Sequence, residues 1–304
     1  MNGYTGYEPC RENPERWNLQ LNTKEPEMRM MIMTTILVDQ DLCTRCGICS
    51  TVCGLGVIDP ADELTLPKIP EAKAGMCIRC GHCEAHCPSQ ALIVNDRPDE
   101  KVRLPAGAGT IAPDDLGWYM RKRRSVRHFT SDPVPKEKIL ELLDIARYAA
   151  SGGNGQPVEW IVIHDSKKVH RIAGLTIEWM RTLVNTGHPM SGYIPFLLGA
   201  WESGNDVICR GAPHLLAATI PEDNPVAVTD GIIALTHVDI AAPAFGIGTC
   251  WAGFVAMAAW SYEPLRKELG IPAGRQLSYA MMFGHPQYKI HGLPRRKPLQ
   301  VTWQ

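Results

Sequence analysis

CTRCGICSTVC, from Cys43 to Cys53, and CIRCGHCEAHC, from Cys77 to Cys87, are one eleven-residue pattern written twice. Each copy spaces its cysteines C-x2-C-x2-C-x3-C: Cys43, Cys46, Cys49 and Cys53 in the first, Cys77, Cys80, Cys83 and Cys87 in the second. Gaps of two residues let a winding loop aim three thiols at three corners of one compact object, and the fourth cysteine lies beyond that reach. The chain holds eleven cysteines, an odd number. A secreted disulfide framework calls for an even count in a shorter chain behind a signal peptide. The opening MNGYTGYEPCRENPERWN has no basic start followed by an apolar run. The eight grouped cysteines therefore read as reduced metal ligands in a cytoplasmic protein.

The doubled spacing resembles the two-cluster ferredoxins of bacteria, in which the fourth cysteine of each set ligates the other cluster. On that pattern Cys43, Cys46, Cys49 and Cys87 hold one 4Fe–4S cluster, and Cys77, Cys80, Cys83 and Cys53 hold the second. Pro88 follows the second set as the pattern has it, while Gly54 stands where proline is common after the first. Structural zinc is the alternative, but zinc sites usually show two C-x2-C pairs across a longer loop. Clusters with a purely structural role are another. His82 and His86 sit inside the second set and read as solvated or flanking side chains, since four thiols are already present. Cys10, Cys209 and Cys250 lack ligand spacing, and the last two read as small buried hydrophobes.

Around this unit the chain divides into four parts. Residues 1–33 form an irregular, polar extension ending in a methionine run, so that Met31 or Met33 is a candidate native start. Residues 34–97 hold the two cysteine sets between strand-like runs at Ile36–Val38 and Ala91–Val94. Residues 98–113 read as a Pro/Gly-rich linker. Residues 114–304 form an α+β domain. There, Leu116–Arg123 reads as a helix, and Ile139, Leu142, Leu143 and Ala146 repeat as one helical face begun near Pro135. Trp160–Ile163, Leu215–Ile220 and Leu277–Phe283 read as strands, and Ile232–Phe245 as a central buried helix. The uncharged run Ile240–Tyr262 is broken by Pro243, Gly246, Gly248 and Gly253, which favours a buried helix, a turn and a second helix over a membrane span.

RKRRSVRHF, Arg121–Phe129, carries five basic residues in its first seven. Lacking a further basic stripe, it reads as a site for one phosphate with Ser125 as an added donor, in preference to a nucleic-acid patch. Formal net charge is −1, which excludes a general polyanion binder. Ala150-Ser151-Gly152-Gly153-Asn154-Gly155-Gln156-Pro157 offers close backbone approach and amide groups suited to a flat heterocycle edged with N and O.

These motifs together resemble the nitroreductase family of FMN enzymes. The resemblance rests on Arg124-Ser125-Val126-Arg127-x-Phe129, then Ser151-x-x-Asn154-x-Gln156-Pro157, then Gly246–Phe254, then Gly284-His285-Pro286 with the basic tail Leu293–Lys297. It covers about residues 117–304, so the whole chain resembles a ferredoxin–nitroreductase fusion. The resemblance implies an intertwined homodimer with FMN at the interface. It implies Arg123, Arg124 and Ser125 at the FMN phosphate, with Arg295 and Lys297 returning to it. Arg127 falls at the pyrimidine edge, where a cation stabilises the reduced ring. Ala150, Ser151, Gly152, Asn154 and Gln156 reach the partner's flavin, and Cys250, Trp251, Ala252 and Gly253 line one face or edge of the ring.

Two positions depart from the family: Val158 follows the Gln-Pro pair where tryptophan is common, and Ala252 replaces a frequent acid. The second, with no G-x-G-x-x-G opening a helix, weakens the expectation of NAD(P)H on this flavin; Gly107-Ala108-Gly109 lies in the linker. The expected function is electron flow from a low-potential carrier such as ferredoxin, through the clusters and FMN, to a small organic acceptor: a nitroaromatic, a quinone or an activated alkene. The rivals are a non-enzymatic relay to a protein partner and a specialised flavin reductase such as a dehalogenase. Neither nucleic acid nor membrane is an expected partner. The segment Met190–Arg210 holds the expected substrate contacts, with Asp206, Arg210 and Trp251 as candidates. His128, His214 and His237 are candidate proton donors that read better as structural.

Overall fold

A computed structural model describes residues 36–94, Leu104 and 109–304. The extension at 1–33, Cys10, most of the 98–113 linker and the Gly107-Ala108 pair lie outside the described residues. The chain divides into two compact units, 1–110 and 111–304.

In the first unit the two strand-like runs pair antiparallel as β1 (Leu37–Val38) and β2 (Leu92–Ile93), with Leu37 opposite Ile93. The sequence repeat is also a backbone repeat. Arg45 and Arg79 are left-handed at φ 56 and 52, and Gly47 and Gly81 follow at φ 75 and 73. Each then opens a single helical turn, α1 (Ile48–Thr51) and α3 (His82–Ala85), with α2 (Glu71–Ala74) between them. The left-handed conformation costs an L-residue roughly 1–2 kcal/mol, which is why glycine stands at 47 and 81. The core is small: Ile36, Val57, Ile58, Leu92 and Val94, with Cys83 inside it and Cys49, Cys53, Cys77 and Cys87 packed against it.

The second unit is a four-stranded antiparallel sheet covered by helices on both faces. Its strands are β3 (Glu159–Ile163), β4 (His214–Pro221), β5 (Gly248–Trp251) and β6 (Arg275–Gly284), in the order β3-β4-β6-β5. Strand side chains alternate between faces. Leu215 and Ala217 on β4, with Ala280 and Met282 on β6, enter the core shared with α6 (Ser166–Thr182), α7 (Ile194–Glu202), α9 (Gly253–Ser261) and α10 (Glu263–Leu269). Leu216, Ala218, Met281 and Phe283 enter the opposite core, shared with α5 (Lys136–Ala146) and α8 (Ala227–Ala241). Double coverage explains why these strands read as unbroken apolar runs. α4 (Pro113–Lys122) carries the first two residues of the basic segment, Arg121 and Lys122, in its last turn.

The central helix is α8, prolonged by one 3-10 turn, Ala242–Phe245. By length and composition it is the one helix among the described residues that could cross a membrane, but its Leu235 and Val238 pack in the second core. The expected turn follows at Gly246 (φ 71). The next segment corrects the helix-turn-helix expectation, because edge strand β5 stands between the turn and α9. α8 reaches the sheet closely at Gly231, where a Cβ would lie 2.3 Å from Ser278 Oγ. His214 is buried, accepts from the Val134 N–H at 2.9 Å through Nε2, and makes a 2.9 Å Nδ1 contact to the His164 carbonyl. Both ring nitrogens are engaged structurally.

Gly231→Ala is expected to cost about 1–3 kcal/mol by overpacking α8 against β6, and Ser278→Gly in that background should recover part of it; urea midpoints measure both. Burial, then the His164 ring, lower His214 from 6.5 to about 4. Between those values the unfolded chain binds a proton that the folded chain does not. Stability is therefore complete above about pH 6.5 and falls as pH drops toward 4. In His214→Gln this part of the pH-dependent fall in urea midpoint should vanish.

Candidate functional site

In the first unit, Cys43, Cys46, Cys49 and Cys87 line one cavity, walled by Val38, Ile48 and Leu92. The fourth member of this set comes from the other sequence copy, brought back by the β1–β2 pairing. Cys77 and Cys80 act electrostatically on Cys83, and Cys53 packs against the same core as Cys77. Burial pushes the Cys83 thiol up to about 12, so a thiolate there calls for a positive centre. Burial also raises Cys53, but the N–H groups of Val57, Leu55, Gly56 and Ile58 outweigh it and the net shift is downward. The Ala91 N–H reaches Cys87 Sγ at 3.2 Å. Thiols ringing a cavity and met by backbone amides fit an iron–sulfur cluster, whose sulfurs accept such bonds. Among the described residues no three His, Cys, Asp or Glu side chains converge on a single metal ion. The His86 ring lies on the His82 carbonyl at 2.8 Å, so it serves its own helical turn.

In the second unit the basic segment becomes a fifth, irregular edge beside β5. The Val126 N–H donates to the Thr249 carbonyl at 2.8 Å, and Ser125 pairs with Thr249 in parallel. Farther along, the Thr130 N–H donates to His285 O, and the Gln287 N–H to His128 O. The approach is tight: a Cβ on Gly248 would lie 2.5 Å from Val126 Cγ2. This docking opens a cleft of about 680 Å³ lined by Lys122–His128, Gly246–Thr249 and Tyr288–Ile290, a size typical of a cofactor site.

The buried carboxylate of Asp239, near the end of α8, holds the arrangement. It accepts from Thr249 Oγ1, accepts from Trp251 Nε1 at 3.2 Å, and pairs with Arg123 Nη1 at 3.2 Å. Three elements thus meet on one anion. Asp239 escaped the motif reading; its signal is a lone acid in an otherwise apolar helical stretch. About two and a half turns nearer the start of α8, Asp230 accepts from the Gly152 N–H at 2.9 Å. Arg275 was missed likewise. It donates to Pro157 O at 2.7 Å and Thr219 O at 2.8 Å, fixing the end of the Ser151–Pro157 turn.

The expected flavin residues fall into three places. Arg123, Arg124, Ser125 and Arg127 line the large cleft. Ala150, Ser151 and Gln156 line a separate cavity with Trp160 and Asp230. Gly152 and Asn154 belong to the adjoining 3-10 turn, with Asn154 left-handed at φ 55. Cys250, Trp251, Ala252 and Gly253 line a third cavity with Arg127 and Arg210. Arg127 borders both the cleft and this third cavity. Arg295 and Lys297 are exposed in the tail, and Lys289 lines the cleft. Asp206, an expected substrate contact, accepts through its oxygens from the N–H groups of Ile208, Cys209 and Gly211, shaping the turn that carries Arg210. Cys209 and Cys250 are buried, as their context implies.

A cleft floored by small residues and ringed by cations fits a flat cofactor ending in phosphate. Asp239→Asn is expected to cost about 2–3 kcal/mol through loss of a charge-assisted contact and to loosen β5. Denaturation midpoints and retained flavin per chain would both fall; a variant with unchanged flavin retention would remove Asp239 from the site's support.

Residues 120–285 match the Nitroreductase family, and residues 42–92 match the 4Fe-4S dicluster domain. The chain is 27% identical over 188 residues to the FMN reductase (NAD(P)H) of Bacillus subtilis, covering 60% of this chain and 70% of that protein. It is 21% identical over 178 residues to the iodotyrosine deiodinase of Thermotoga neapolitana, covering 58% of this chain and 91% of that one. It also matches two much longer relatives, of whose lengths it spans 11% and 12%. A nitroreductase with bound FMN from Desulfitobacterium hafniense superimposes with a TM-score of 0.51 at 20% identity, over 62% of this chain and 97% of that one, which establishes the shared fold. With the family match spanning more than half of the sequence, the chain belongs to the nitroreductase family of FMN-dependent oxidoreductases and carries, earlier in sequence, a 4Fe-4S dicluster domain.

Proposed function

We propose that the chain takes electrons from a low-potential donor, a ferredoxin or similar carrier, and delivers them by way of two 4Fe–4S clusters and FMN to a small organic acceptor. The acceptor is of nitroaromatic, quinone or activated-alkene type. The observation that carries this reading is the joining, in one chain, of eight cysteine thiols in cluster spacing with a cation-ringed flavin cleft. When bound, the clusters supply single-electron transfer and the flavin supplies exchange between one- and two-electron chemistry. The chain's own residues bind and tune. Lys122, Arg123, Arg124, Ser125 and Lys289 hold the phosphate end. Arg127 places positive charge at the ring edge, favouring the reduced, anionic form. Ala252, where relatives in the family often carry an acid, argues for a protein donor over NAD(P)H.

The same reading includes a homodimer. Ala150, Ser151 and Gln156 line a cavity separate from the Arg123–Arg127 cleft, which is the division expected if each flavin draws on two chains. Reduced thiol ligands support a cytoplasmic location. A reductive dehalogenating activity is the second reading, favoured by the similarity to the deiodinase over nearly all of that protein's length.

Anaerobically purified protein should hold about eight iron atoms and matching sulfide per chain, with one FMN. Zinc in place of iron, or full iron without flavin, would overturn the reading. The crosswise ligand assignment makes a sharper test. Cys49→Ser and Cys53→Ser should each remove one cluster's electron paramagnetic resonance signal and about half of the iron, and the double variant should remove both. Loss of only one signal in the double variant would instead assign four consecutive cysteines to each cluster.

A further inference from the structure

The third cavity, of about 240 Å³, has an uneven chemistry. Its walls are apolar and polarisable, with Val207, Phe254, Met257 and Met282. Arg127 and Arg210 both line it, and no Asp or Glu does. Among the described residues neither guanidinium forms a hydrogen bond or ion pair with a protein group. Both act electrostatically on the Cys250 thiol, so the two cations stand close to the same wall. Arg210 is held there at a cost. Its backbone is left-handed, φ 57, and the turn around it is braced by Asp206, which accepts from Ile208, Cys209 and Gly211 at 2.8–3.0 Å. An exposed arginine with no task would not need such a turn. Arginine does not deprotonate in a protein, so the cavity keeps both charges at every working pH.

We propose that Arg210 is the carboxylate-binding residue for the acceptor, and that the acceptor is a small conjugated monocarboxylic acid, aromatic or α,β-unsaturated. The apolar wall takes the conjugated body, and the planar guanidinium takes the carboxylate through two parallel N–H···O bonds. This inference rests on the flavin reading above, in which Arg127 is committed to the ring edge and Arg210 is left for the substrate. The small cavity selects against bulky acids, and the paired positive charge selects against cations.

Benzoate and benzamide have nearly the same shape and differ in charge, so they probe the site directly. Each is titrated into the purified FMN-containing protein, with binding read from the change in visible flavin absorbance and from calorimetry. Benzoate is expected to bind about tenfold or more tighter than benzamide. Arg210→Gln should abolish that preference while leaving benzamide affinity and FMN content unchanged, and Arg210→Lys should restore part of it. Equal binding of the two probes in the parent protein would overturn the proposal. So would an Arg210→Gln variant that loses FMN but keeps its preference for benzoate, since Arg210 would then serve the cofactor. Protein purified without any FMN would overturn the underlying flavin reading itself, a result visible before either probe is added.

Discussion

The carboxylate of Asp239 is the point on which the flavin domain turns. It lies buried near the end of a helix whose other surfaces are almost entirely apolar, and an unpaired charge there would cost several kcal/mol. It is satisfied from three directions: the Thr249 hydroxyl, the Trp251 indole and the Arg123 guanidinium. Those partners belong to the edge strand and to the segment docked beside it. One desolvated anion therefore sets the position of the strand, the segment and the mouth of the cleft together. The same helix carries Asp230, which holds the Gly152 turn. Two acids on α8 thus position two separate groups of flavin-type residues, and a rigid helix fixes the distance between them.

The small domain obeys a different constraint. Its described apolar core is a handful of side chains, and five cysteines pack against or within it. A core of that size contributes little by itself, and domains below roughly 70–80 residues generally need a metal or cross-links. The thiols are therefore both ligands and structural members. Left-handed positions at Arg45, Gly47, Arg79 and Gly81 wind the two loops in the same way, and the short β1–β2 ladder returns Cys87 to the cavity lined by Cys43, Cys46 and Cys49.

The departures from family pattern also acquire a physical meaning. At Ala252 the cavity wall carries a methyl group, so no carboxylate lines the third cavity beside Arg127 and Arg210. That local excess of positive charge bears on which molecules approach the cavity, whatever the overall net charge of −1.

The cysteine spacing by itself determined the cluster domain, because covalent distance along the chain limits which thiols can meet one cubane. The apolar runs of β4 and β6 and the helical repeat of α5 were equally legible, since periodic burial is written directly in residue order. The basic run and the Gly-Asn-Gly-Gln turn read as a phosphate site and a cradle for a flat ligand. Edge strand β5 was hidden: Gly248–Trp251 has too few residues to show a period, and it is a strand because β6 lies beside it. That Asp206 braces a turn was not legible either, since sequence shows a carboxylate but not which N–H groups surround it. Asp239 and Arg275 join the site only through contacts spanning ten to over a hundred residues, and Lys289 lines the cleft from far along the chain. Local pattern carries no record of such contacts; they exist only once the helix, the sheet edge and the docked segment have packed together.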